Sequence, residues 1–221
     1  GGYDTREVIH SAKRMKQVGA EGILSVTPYY NKPTPEGLFQ HYSAIAGEVG
    51  LPIVVYNVPG RTGCNVDVAT LVRLSAVPGI VAVKEASGNI SQMVEVCGAV
   101  PKDFLVLSGD DALTLPLMAV GGRGLISVAG NEVPGEMARM VEQAERGDFA
   151  AARQIHAQLL PLMMVNFIES NPIPVKSAMA ALGLLEENYR LPMVPPREAS
   201  RAKIRQVLAE LKTDALVGGR S

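Results

Sequence analysis

The sequence has no tryptophan, four phenylalanines, three histidines and two cysteines, and its 21 basic residues are offset by 22 acidic ones to a net charge of −1. Cys64 and Cys97 lie 33 positions apart with no further cysteine or histidine at ligand spacing. They make neither a disulfide framework nor a metal site, and read as reduced thiols of a cytosolic protein. The scattered His10, His41 and His156 read as surface or helix-face residues rather than ligands. Basic runs are missing, which argues against nucleic-acid and membrane-surface partners. No apolar run approaches the roughly 20 residues of a membrane span. The longest, residues 159–168, is interrupted by Asn166. There is no leader pattern and no low-complexity segment, and residue 1 is glycine rather than methionine.

What is present is a repeating alternation. Val8, Ile9, Ala12, Met15 and Val18 recur at helical spacing behind the caps Asp4 and Thr5, and Gly19 closes that helix. Short apolar runs at 22–28, 51–57, 80–85, 104–108 and 124–128 read as strands. Helical patterns separate them at 35–49, 68–76, 91–100 and 112–120, and another follows at 134–145. One helix between each pair of strands is the pattern of parallel βα units. Strands rich in Val, Ile and Leu are buried on both faces. After residue 146 only helices are expected, at 149–167, 174–182 and 200–211. With 47% hydrophobic residues, the 221-residue chain has enough apolar side chains for one sizeable core.

Two folds fit such units: an open doubly wound sheet and a (β/α)8 barrel. The open sheet prefers a Gly-rich phosphate loop after its first strand, where Thr27-Pro28-Tyr29-Tyr30 stands instead. The barrel needs eight strands and five are visible, so the expectation is a barrel with about three βα units preceding residue 1.

In both folds ligands gather at the C-terminal ends of strands. Lys84 is the sharpest feature there. Plain alternation puts it on one face with Ile80 and Ala82, away from bulk water. Desolvation lowers a lysine's pKa, and a neutral amine attacks ketones to form an imine. The plainer alternative is a strand-end lysine paired with a carboxylate. Tyr56 ends the preceding strand at the matching level, where a phenol can relay protons; a buried tyrosine with a satisfied hydroxyl is the alternative. Arg61 lies in a Pro/Gly loop expected to be non-helical and is placed to grip a carboxylate, or is simply a surface arginine. Gly109 leaves space at a strand end or serves a turn. Asp110 or Asp111 is expected to cap the next helix rather than bind metal. Gly121-Gly122 precede the fifth strand and read as a turn at the opposite end.

Four segments in this order, residues 27–33, 56–63, 83–88 and 107–111, resemble the dihydrodipicolinate synthase family, and residues 171–176 match its C-terminal helical region. The resemblance covers essentially the whole chain. It implies residues 1–146 as the C-terminal part of a (β/α)8 barrel and 147–221 as a helical region. It further implies Lys84 as the Schiff-base lysine for pyruvate, with L-aspartate 4-semialdehyde as second substrate. Tyr56 becomes the proton shuttle. Tyr30 matches the tyrosine that completes the relay in a neighbouring subunit. Arg61 matches the semialdehyde-carboxylate ligand, and Gly109 and Ile126 match pocket-lining positions. The family is typically a cytoplasmic homotetramer needing no metal or organic cofactor. Glu7 and Tyr29 match its allosteric lysine site, but Tyr3 stands where lysine-inhibited members carry asparagine. A threonine pair from an early strand of the family has no counterpart here. The rival readings are a sister pyruvate-dependent aldolase, acting on N-acetylneuraminate or keto-deoxy sugar acids, and a non-catalytic binding barrel. Arg61 in its Arg-Thr-Gly setting separates the synthase from the sister aldolases.

Overall fold

The computed structural model describes residues 1–211, so the last ten positions of the expected helical region, 212–221, lie outside the described residues. The chain divides into two compact units, Gly1–Ile126 and Ser127–Ser221. The boundary expected after residue 146 falls inside the second of them.

In the first unit, the four longer helices begin where the side chains of Asp4, Thr34, Asp67 and Asn89 satisfy their open N–H groups. α1 (Thr5–Gln17) starts at Asp4, whose carboxylate accepts from the N–H groups of Arg6 and Glu7. α2 (Pro35–Val49) starts at Thr34 with Pro35 in its first turn and ends at the left-handed Gly50. Between them runs β1 (Ile23–Val26), and β2 (Ile53–Asn57) follows. α4 (Val68–Ser75), β3 (Ile80–Glu85), α5 (Ile90–Ala99), β4 (Leu105–Ser108) and α6 (Thr114–Ala119) continue the alternation, after a one-turn helix, α3 (Pro59–Thr62). The four strands form one parallel sheet in the order β1-β2-β3-β4.

The helices cover one face of this sheet. Val8, Leu38, Tyr42, Ile45, Leu71, Leu74, Met93 and Val96 join Ile53, Val55, Val83 and Val106 in a single buried apolar cluster. At about 25 cal/mol per Å², burial of this kind is the main favourable term in folding. The other face carries two rows set by strand register. One is Leu24, Val54, Ala82 and Leu105; the next, nearer the C-terminal ends, is Val26, Tyr56, Lys84 and Leu107.

Three expectations are corrected. Ile80 does not share the face of Lys84. Ile53 pairs with Ile80 but Val54 pairs with Ala82, so Val81 is an extra residue without a partner on β2. The bulge flips the alternation, and Ile80 joins the helix-side cluster. The fifth strand does not form: residues 124–128 make only an isolated bridge, Ser108 to Leu125, with the N–H of Ile126 donating to the Ser108 carbonyl. A strand is stabilised by a ladder, and this segment has one only at a single step. Arg61 lies not in a non-helical loop but in α3, where Pro59 opens the turn and left-handed Gly63 closes it. Proline at the first position and glycine after the last are compatible with a helical turn.

The second unit is helical. A 3₁₀ turn (Ala129–Asn131) leads to α7 (Pro134–Glu145), α8 (Phe149–Val165), α9 (Ile173–Ala181) and α10 (Glu198–Glu210). Met140, Leu159, Leu162, Met163 and Ile204 are among its buried side chains, and buried Asn166 donates to Glu132 at 2.6 Å. Among the described residues no helix is long and apolar enough to cross a membrane.

Candidate active site

Register puts Tyr56 directly beside Lys84. The lysine Nζ stands 4.4 Å from the centroid of the Tyr56 ring. Ala82, on the same face, is buried, and the amine itself is half-buried. That burial is the main reason its pKa falls below 10.5; nearby Arg61 lowers it further, while Asp111 pulls the other way. Burial also raises the phenol of Tyr56, which the Arg61 charge partly offsets. Arg61 is thus electrostatically coupled to both groups from α3, which leaves β2 after a single residue.

Gly109 follows β4 and faces the lysine's stem. A Cβ at this position lies 2.6 Å from the Ala86 Cβ and 3.0 Å from the Lys84 Cε. Only a residue without a side chain leaves Lys84 its extended path. Ile126, held to Ser108 through its N–H, is half-buried at the end of the first unit.

Tyr30 is not brought to the amine. Its φ of 72° and 92% exposure place it on an outward-projecting loop. Tyr3, Glu7 and Tyr29 do come together, around a depression of about 290 Å³, with the rings of Tyr3 and Tyr29 edge to face at 5.4 Å.

One neighbour of the amine escaped sequence reasoning. Asp110 forms a turn, accepting from the N–H of Ala112 at 3.0 Å, whereas Asp111 is buried and acts on Lys84. Neither is the N-cap of α6, which is Leu113. In sequence the two carboxylates look alike. Glu85, next to the amine in the chain, is wholly buried on the opposite face. Among the described residues no three His, Cys, Asp or Glu side chains gather where a metal ion could be held.

A strand-end lysine with a depressed pKa, a phenol against it and a guanidinium within electrostatic range can form and protonate an imine. Residues 1–211 match the dihydrodipicolinate synthetase family. The chain belongs to the dihydrodipicolinate synthetase family. It is 54% identical over 208 residues to the 4-hydroxy-tetrahydrodipicolinate synthase of Koribacter versatilis, covering 94% of this chain and 69% of that one. The dihydrodipicolinate synthase of Aquifex aeolicus superposes with a TM-score of 0.93 at 45% identity, covering 98% of this chain and 73% of that one. The Acinetobacter baumannii enzyme, solved in complex with pyruvate, superposes with a TM-score of 0.93 at 42% identity, covering 96% and 72%. The family fold makes the parallel βα array part of a (β/α)8 barrel followed by C-terminal helices, and the chain a member of a lyase family.

Proposed function

We propose that this protein condenses pyruvate with L-aspartate 4-semialdehyde to give 4-hydroxy-tetrahydrodipicolinate, through an imine on Lys84. The neutral amine adds to the keto carbon of pyruvate, and loss of water leaves the imine. Loss of a methyl proton gives the enamine, whose carbon adds to the aldehyde. The amino group of the second substrate then displaces Lys84 and closes the ring. Tyr56 relays the protons, Arg61 grips the semialdehyde carboxylate, and Gly109 and Ile126 border the pyruvate. Tyr30, projecting from its loop, completes the relay in a second copy of the chain within a cytoplasmic homotetramer. Tyr3 occupies space in the depression it forms with Glu7 and Tyr29, so inhibition by lysine is weak. No metal or organic cofactor takes part.

The observation that carries this reading is the Tyr56–Lys84 pair, adjacent by register with the amine depressed by burial. Its test is incubation of the protein, at the length of its relatives, with pyruvate followed by borohydride. A reduced pyruvyl adduct on Lys84, seen by mass spectrometry and lost in Lys84→Met, is the expected result. An unmodified Lys84 sinks the proposal. Turnover with aspartate semialdehyde but not with sugar aldehydes then separates the synthase from the sister aldolases.

A further inference from the structure

Two buried polar residues have no part in the chemistry described above, yet each directly follows one of its members in the chain. Asn57 follows Tyr56 and Glu85 follows Lys84, so strand alternation turns both to the helix-covered face. They are register partners, and the Asn57 Nδ2 donates to the Glu85 Oε2 at 3.0 Å. Both are fully buried. The second carboxylate oxygen, Oε1, accepts from the Ser87 N–H at 2.6 Å. The Asn57 Oδ1 accepts from the Val66 N–H at 3.0 Å, which closes the segment that contains Arg61. Gln92 on α5 borders the same group, donating to the Glu85 Oε2 at 3.4 Å and to the Val66 carbonyl at 3.3 Å.

An apolar pair of the same size in this place is generally no less stable than a buried carboxylate and amide. What polar partners add is uniqueness of register, since a slipped strand leaves both unpaired. Register is at stake here, because β3 already departs from regular pairing at Val81. We infer that Asn57 and Glu85 are positioning residues: their bond on the covered face holds β2 against β3, and so sets where the Lys84 amine stands relative to Tyr56 and Arg61. The inference rests on the proposed imine chemistry.

The experiment exchanges the two groups in the protein at the length of its relatives. Glu85→Gln places an N–H₂ against a donor whichever way the amide turns, Asn57 on one side or Ser87 on the other. Asn57→Asp sets two carboxylates together. The double variant Asn57→Asp/Glu85→Gln restores a donor and acceptor with the same charge and nearly the same shape. Each single variant is expected to lower kcat about tenfold or more with pyruvate KM changed less than about twofold, and the double to regain most of the loss. Unchanged kcat in folded single variants, or a double no better than the worse single, overturns the inference. If the single variants fail to fold, the decision passes to Gln92→Leu at the edge of the network. There a fall in kcat of about threefold at constant KM supports the inference, and an unchanged kcat overturns it. Absence of the borohydride adduct in the unaltered protein sinks the imine reading itself, which is a separate result.

Discussion

At the scale of single residues the pH behaviour of Lys84 is the most direct consequence of the geometry. Burial holds its pKa below 10.5, so the reactive neutral amine accumulates as pH rises through a midpoint lower than that of an ordinary lysine. The rate of pyruvate adduct formation against pH is expected to show that midpoint. Arg61→Met removes a positive neighbour and moves it up; Asp111→Asn removes a negative one and moves it down. Opposite signs, or no displacement in either variant, contradict the electrostatic account. Gly109→Ala is expected to slow adduct formation by about 100-fold, because the new methyl meets the Lys84 stem at 3.0 Å and an amine displaced by an ångström loses its alignment. Lys84 and Tyr56 were legible in the sequence, since a polar residue ending an apolar strand stands out. Asp111 was not, because burial alone distinguishes it from Asp110.

At the scale of elements, local chemistry was readable and pairing was not. Thr34, Pro35 and Gly50 mark both ends of α2, and the observed helix runs from 35 to 49 as the pattern predicts. The segment 124–128 has strand-like residues, but a ladder is made by neighbours and the sequence does not show them. α3 was missed because a single turn carries no periodicity and its Pro and Gly read equally well as a loop. Its closing residue offers a test. Gly63 has φ of 68° and a Cβ there lies 3.0 Å from the Lys32 Cε. Gly63→Ala is expected to cost about 1–2 kcal/mol in chemical denaturation, and to lower affinity for the semialdehyde by disturbing Arg61. An alanine variant with unaltered midpoint and KM argues that α3 does not depend on its cap.

At the scale of the whole molecule, the open sheet governs behaviour. Among the described residues β1 pairs only with β2, and Leu24, Val81 and Leu105 are 42%, 38% and 40% exposed. Unpaired edges with apolar side chains invite association. These 221 residues expressed alone are therefore expected to form polydisperse aggregates without synthase activity, while the protein at its relatives' length stays dispersed. Sedimentation velocity and an activity assay on both lengths decide this; a soluble, active short chain refutes it.

The supernumerary Val81 acts as a parity switch. If Val81 took a paired place in the ladder, counting back from the nucleophile would put Ile80 on the wetter side of the sheet, and counting forward from a dry Ile80 would turn the amine toward the helix-covered face. A chain shortened by that one residue keeps both on their present faces, because Ile80 then stands directly before Ala82 in plain alternation. Straightening the bulge, rather than deleting the residue, is the change that sacrifices either the oily anchor or the chemistry.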